Sequence, residues 1–172
     1  VIVPDQFTMQ TQADLVNMSP GKGIMNIEVL SFQRLAYRIF GETGGGRIPV
    51  MDDTGKNLIL RTCAKAVEQD IPYLAGKLNK PGFIHEIKSA VSEFMQYGVD
   101  VEDVAELANY ASASNRKTLA RKLNDLGVIY SRFLEYIDGK YITTEGLMDV
   151  LAGEIYKSEL MANSVVIFDG FT

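Results

Sequence analysis

The sequence predicts an α/β fold in which a parallel sheet of three short strands carries a large, all-helical insertion. Strand-like apolar runs occur at Val1-Ile2-Val3, at Ile27-Glu28-Val29-Leu30 and at Val165-Val166-Ile167-Phe168. Each connection between them is long enough to be a crossover, which parallel pairing requires and a hairpin does not. From about Asp52 to Leu160 the apolar residues instead recur at helical spacing, with almost no strand signal. Residues 1–46 and 161–172 are therefore expected to form an α/β core, and residues 47–160 a helical subdomain.

Composition narrows the function classes. A chain of 172 residues with 47% hydrophobic content is long enough for one sizeable core or two small ones. No apolar run is long enough to span a bilayer and the first residues lack a signal-peptide pattern, so no membrane partner and a cytoplasmic location are expected. The single cysteine, Cys63, makes no internal disulfide framework and no cysteine-rich metal site. A net charge of −5 argues against wholesale coating of nucleic acid while leaving room for a local basic groove. One strand-like segment begins at residue 1 without a leading methionine and another stops at residue 172, so both ends are expected to be cut from something longer.

Taken in order, Val1-Ile2-Val3 is a short buried strand closed by Pro4, which has no N–H for a ladder. Asp5 is placed to cap a helix from Gln6 to about Asn17, with Phe7, Met9 or Gln10, Ala13 and Val16 on its inner stripe. Ser19-Pro20-Gly21-Lys22-Gly23 ends that helix. Its Gly-Lys pair lacks both the upstream glycine and the following Ser or Thr of a phosphate-binding loop, so Lys22 is read as solvated. After the second strand, Ser31 can cap a helix from Phe32 to Phe40, because its hydroxyl can accept from an orphan amide. Phe32, Leu35 and Ile39 would face inward, leaving Arg34 and Arg38 one turn apart on another face. Two arginines in register near a strand's C-terminal edge suit phosphate contacts; a solvated basic face fits the same spacing. Gly44-Gly45-Gly46 is expected to be a hinge out of the sheet.

In the helical region, Asp53 or Thr54 can cap a helix through Val67, with Leu58, Ile59, Leu60, Cys63, Ala64 and Val67 covering a wide apolar arc. Cys63 then acts as a small buried hydrophobe. Pro81 and Gly98 bracket a second helix with Ile84, Ile87, Val91 and Phe94 on one stripe and His85 off it, at the surface. The longest helix, Arg116 to Ile137, has a packing seam of Leu119, Leu123, Leu126, Tyr130, Phe133 and Ile137. Its first half carries Arg116, Lys117, Arg121 and Lys122 against Asp125, and cations at a helix N-terminus oppose the macrodipole. Nucleic acid or an acidic partner would suit them, and so would a solvated face. Asp138-Gly139 turns the chain, and Thr143 or Thr144 can cap a last helix with Leu147, Leu151 and Ile155 inward. The closing run Val165 to Phe168 is expected to be buried on both faces, delivering Asp169 to the strand edge where open α/β sheets bind ligands. A carboxylate there suits Mg²⁺ of a nucleotide site. It equally suits the start of a turn.

These residues carry a resemblance. The run Val29-Leu30-Ser31-Phe32-Gln33-Arg34-Leu35-Ala36-Tyr37-Arg38-Ile39-Phe40 resembles the Thr-Phe-His-Ser-Leu…Arg-Ile segment of superfamily-one DNA helicases. That similarity implies that Ser31, Phe32, Arg34 and Arg38 lie at a single-strand DNA track. Val1 to Thr8 sits where those helicases have the strand and loop of another DNA-contacting motif, which implies the same for Gln6 and Thr8. Asp169 falls where their Walker B strand ends. With Pro81-Gly82-Phe83, Glu93-Phe94, Gly139-Lys140-Tyr141 and Asp169-Gly170-Phe171 added, essentially the whole chain resembles the N-terminal part of the AddB (RexB) family, B subunits of bacterial ATP-dependent helicase/deoxyribonucleases.

The resemblance implies a partial P-loop NTPase, superfamily-one helicase-like sheet in a subunit that processes double-strand breaks for recombinational repair. It also implies single- and double-stranded DNA ends as substrate, a heterodimer with a helicase-nuclease A subunit, and a part in recognising a recombination hotspot. ATP, Mg²⁺ and an iron-sulphur cluster are implied for the parent, the cluster in a C-terminal region outside this chain. Within the chain no cofactor, metal or catalytic residue is expected. Cys63 alone cannot hold a four-cysteine cluster, and Gly170 stands where an active motor has the water-orienting Glu, leaving Asp169 as a degenerate Walker B-like position. Gln33 replaces the usual His, and Pro4-Asp5-Gln6 a Thr-rich loop. The expected function is a non-motor, helicase-like module that tracks or reads single-stranded DNA, with Phe32 as a stacking or wedge residue unless the core claims it, and with Arg121 and Lys122 as further DNA contacts. Two other classes remain open: a structural helical module that docks the partner subunit, and a nucleotide-kinase-like enzyme sharing the sheet and Asp169.

Overall fold

The structure, a computed structural model, describes residues 1–44 and 48–171. It divides into two compact units, one of Val1–Arg47 with Leu147–Thr172 and one of Ile48–Gly146. In chain order the elements are α1 (Thr8–Met18), α2 (Phe32–Thr43), β1 (Val50–Met51), α3 (Asp53–Ala66), α4 (Phe83–Gln96), α5 (Val101–Ala113), α6 (Lys117–Ile137), β2 (Ile142–Thr143), α7 (Leu147–Glu154) and α8 (Glu159–Ala162). The class is α/β with a large helical content. Among the described residues no helix is long and apolar enough to cross a membrane.

In the first unit the three expected strand segments meet in parallel. Ile2 bridges Leu30 on one side and Phe168 on the other. The Ile2 N–H donates to the Ile167 carbonyl at 2.7 Å, the Val3 N–H to Leu30 at 3.0 Å and the Asp169 N–H to Ile2 at 3.0 Å. Pairing goes no further than these bridges. The expectation that Val165 to Phe168 is buried on both faces is corrected: Val165 is 87% and Phe168 61% exposed. Among the described residues this segment is paired along one edge, and its side chains stand in solvent.

The entry to α1 also differs. Asp5–Phe7 is a 3-10 turn whose N-cap residue is Pro4, and the Thr8 hydroxyl, not the Asp5 carboxylate, secures it by donating to the Asp5 carbonyl at 2.9 Å. A 3-10 turn advances three residues per turn rather than 3.6, so the phase of the following helix shifts. Thr8 becomes the buried residue of α1 while Phe7 and Met9 face water. For α2 the cap expectation holds, since Ser31 Oγ accepts from the Arg34 N–H at 3.4 Å. Gly44, at φ +77, closes the helix in the left-handed conformation that glycine adopts without strain. Gly45 and Gly46 of the expected hinge lie outside the described residues. Leu35, Ala36, Ile39 and Phe40 are buried, and α2 packs on α7 through its buried Leu147 and Leu151. Helices α7 and α8 thus fold with the strand segments, whereas the spacing set that crossing at residue 160.

The second unit is a helical body around Leu60, Ile87, Val91, Val104, Ile129 and Phe133. Helix α3 begins one residue earlier than expected, because Asp52 Oδ1, not Asp53 or Thr54, accepts from the Gly55 N–H at 2.7 Å. Leu58 is exposed, so the inward arc of α3 is narrower than counted. Helix α5, which the apolar spacing does not announce, starts from a reciprocal cap: Asp100 accepts from the Asp103 N–H, and Asp103 from the Asp100 N–H. The seam of α6 holds from Leu126 to Ile137, while at its start Ala120 is buried and Leu119 exposed. Two short strands that the sequence did not announce, β1 and β2, pair in parallel with Val50 opposite Ile142 and Met51 opposite Thr143.

Candidate nucleic-acid surface

Helix α2 positions most of the candidate residues of the first unit. Phe32 is its first residue, and capping by Ser31 fixes the direction in which that first turn leaves the strand. Counted as inward with Leu35 and Ile39, Phe32 is instead 38% exposed. Its ring centroid lies 5.9 Å from that of Phe168 and 5.4 Å from that of Phe171, which are 6.5 Å from one another. Three phenyl rings therefore share an accessible cluster at the C-terminal edge of the bridged strands. Clustered aromatic faces can stack against nucleobases whatever their sequence.

The arginines follow on the same helix. Arg34 Nε is 3.8 Å from Asp5 Oδ1, and Arg38 is 3.5 Å from Glu28 Oε1, with all four side chains half exposed or more. Exposed pairs of this kind contribute little to stability, so either arginine can exchange its carboxylate for a phosphate at small cost. Gln6 is exposed. Thr8 and Ser31 are different: both are buried, with the Thr8 hydroxyl donating to the Asp5 carbonyl and Ser31 Oγ accepting from the Arg34 N–H. They build the site from behind.

Asp169 is exposed and its N–H donates to the Ile2 carbonyl. Gly170 has φ +75, and a Cβ there would meet Pro4 Cδ at 3.5 Å and Phe7 Cδ2 at 3.8 Å. The chain turns at 170 in a left-handed conformation, so a side chain at this place would be strained even though the space is adequate. Among the described residues no group of three or more His, Cys, Asp or Glu side chains is placed to hold a metal ion. The single cysteine, Cys63, is free and buried. Burial pushes the Cys63 thiol up, which keeps it protonated.

In the second unit Arg121 and Lys122 lie on the exposed side of α6, in company with Arg116 and Lys117. The acid counted against them is engaged elsewhere. Asp125 is buried and accepts from the N–H groups of Tyr73 and Leu74, both at 2.8 Å. His85 is exposed. The structure thus carries Phe32, Arg34 and Arg38 on one helix of the first unit, the arginines on a different face from the ring, and Arg121 with Lys122 on α6 of the second. Sequence reasoning missed Phe168 and Phe171, whose only signal was two aromatic residues flanking Asp169-Gly170; the Ile2 bridge is what carries them to Phe32.

Comparison with known proteins agrees with the resemblance. The family described as ADDB, N-terminal, matches residues 1–172. A protein of Lachnoclostridium phytofermentans, named as the B subunit of an ATP-dependent helicase/deoxyribonuclease, is 40% identical over 172 residues, covering 100% of this chain and 15% of its own length. Proteins of the same name from Moorella thermoacetica and Clostridium tetani are 32% and 30% identical, each over 99% of this chain and 15% of theirs. The chain spans about 15% of the length of the curated relatives it matches. With the family matched from its first residue to its last, the chain belongs to the AddB N-terminal family.

Proposed function

We propose that this chain is a helicase-like, non-motor module of the B subunit of an ATP-dependent helicase/deoxyribonuclease, and that its first unit reads single-stranded DNA during the processing of double-strand breaks. The observation that carries the reading is the exposed ring cluster of Phe32, Phe168 and Phe171 at the start of α2, the helix that also carries the exposed Arg34 and Arg38. Rings offer stacking faces to unpaired bases and the guanidiniums offer paired donors to phosphates. Gln6 would add a polar contact, Thr8 and Ser31 would hold the backbone that presents it, and Arg121 and Lys122 would meet DNA on the second unit. The parallel order Leu30, Ile2, Phe168 supports a sheet of the P-loop NTPase, superfamily-one helicase-like kind. Asp169 would be the relic of its Walker B position, with Gly170 unable to orient water. ATP, Mg²⁺, an iron-sulphur cluster, a helicase-nuclease partner subunit and a cytoplasmic location belong to this proposal for the parent protein.

Fluorescence anisotropy of a labelled single strand tests it. Phe32→Ala is expected to weaken binding by about 1–3 kcal/mol, the range for loss of one stacked base. Arg34→Glu with Arg38→Glu is expected to weaken it further and to flatten its salt dependence. Unchanged affinity in both variants would return the chain to the alternative of a structural module docking the partner subunit.

A further inference from the structure

We infer that the turn joining α5 to α6 is a contact for the phosphodiester backbone of DNA, indifferent to base sequence and distinct in chemistry from the ring cluster. The identity of the polyanion rests on the function proposed above; the cationic patch does not. Between Arg116 and Lys122 there are four cations and no acid, in a chain of net charge −5. Among the described residues the ion pairs engage Arg34, Arg38, Lys56, Lys88, Arg132 and Lys157, and none of these four. Asp125, the nearest acid along α6, is spent on the Tyr73 and Leu74 amides.

Helix stability does not account for the cluster. The first turn of α6 has no acid and no side-chain cap, so its cations stand against the positive end of the helix dipole. Nor does the end of α5 need them. Its last carbonyls are closed by the turn's own backbone, with the Ser114 N–H donating to Tyr110, Asn115 to Ser112 and Arg116 to Ala111. The shallow cleft at this turn is lined by Asn115, Arg116, Lys117, Thr118, Leu119 and Lys122. No aromatic ring is among them, so the cleft offers charge and amide donors without a stacking face. That combination holds phosphates and ignores bases. The first unit has the opposite chemistry, rings with arginines already paired.

The test compares the wild-type chain with R116Q/K117Q/R121Q/K122Q, titrated into two labelled duplexes and two labelled single strands of unrelated sequence over a range of salt. Affinity is expected to fall about tenfold or more at low salt, by the same factor for both sequences of a kind. The slope of log affinity against log salt should become shallower by about 0.9 for each duplex phosphate no longer neutralised, or about 0.7 on a single strand. The duplex and single-strand arms show which form of DNA supplies the backbone. A swap variant, R116K/K117R/R121K/K122R, is expected to retain binding and slope. Loss in the swap as well, or unchanged binding by the quadruple variant with an unchanged melting temperature, overturns the inference. So does equally tight, competitive binding of a poly-glutamate peptide, which would assign the turn to an acidic protein segment. If Phe32→Ala weakens single-strand binding while the quadruple variant does not, this inference fails alone; the reverse result sinks the ring-cluster reading and leaves the turn standing.

Discussion

Lys56 is the largest fully buried side chain of the second unit, 1% exposed, and its ammonium lies 2.6 Å from both Glu145 oxygens and 3.1 Å from Ser92 Oγ. Three acceptors satisfy its donors, so the charge is matched though deeply desolvated. Removing one partner leaves the other uncompensated. Lys56→Ala is expected to lower the unfolding free energy by about 3 kcal/mol, while Lys56→Met with Glu145→Leu recovers most of that loss; urea denaturation of the three chains measures both. Helical spacing places Lys56 one turn before Leu60 on the inner arc of α3, yet nothing in the spacing names an acid eighty-nine positions away. Phe32 teaches the same lesson from the other side: periodicity puts it inward, and what actually surrounds it is two distant phenylalanines.

At the scale of elements, α6 shows how one side chain governs a neighbouring segment. Asp125 reaches out of the helix to the amides at the start of the Ile71–Leu78 turns, whose Ile71, Leu74 and Leu78 fill the core. Asp125→Ala would take the acceptor of the Tyr73 amide and leave the buried Leu74 amide only the Ile71 carbonyl at 3.1 Å. The expected cost is about 2 kcal/mol, and hydrogen exchange should speed up at Tyr73 and Leu74 well before it does in α4. Helices with strong caps and sustained stripes were legible. Ser31 before α2, the stripe of α4 and the Leu126 to Ile137 seam follow from local chemistry. Helix α5 has an equally good cap in Asp100 and Asp103, but two of the three residues on its buried stripe, Ala108 and Ala111, are alanines that give little apolar contrast. The two-residue strands β1 and β2 are too short for a period of two to register, and only their pairing across the second unit defines them.

For the molecule as a whole, carboxylates in both units tie stability to pH in one direction. In the first unit the Ser158 hydroxyl, at 2.6 Å, and the amides of Glu159 and Leu160 hold Glu42 below the usual carboxylate range. In the second, burial raises Glu145, but hydrogen bonds from Lys56 and Ser92 more than offset it and leave the group lowered. A carboxyl depressed by folding contributes stability that is fully present above its unfolded pKa, near 4.5, and is lost as pH falls through the folded value. Resistance to urea should thus be flat from neutral pH to about 5 and decline below it. Glu42→Gln with Glu145→Gln is expected to start lower at neutral pH and decline less steeply, as denaturation midpoints across that range would show.

By itself the sequence determined what local chemistry controls: three apolar segments joined by crossovers, the caps and stripes of the main helices, and the motif order that places the chain in its family. Tertiary structure alone decided that Phe32 joins Phe168 and Phe171, that the Val165 to Phe168 run is exposed, that Asp125 is taken up by the Tyr73 and Leu74 amides, and that Lys56 finds Glu145. The reason is physical. Caps and periodicity act over one or two turns of chain, whereas exposure and pairing depend on what segments a hundred residues away bring to the same place.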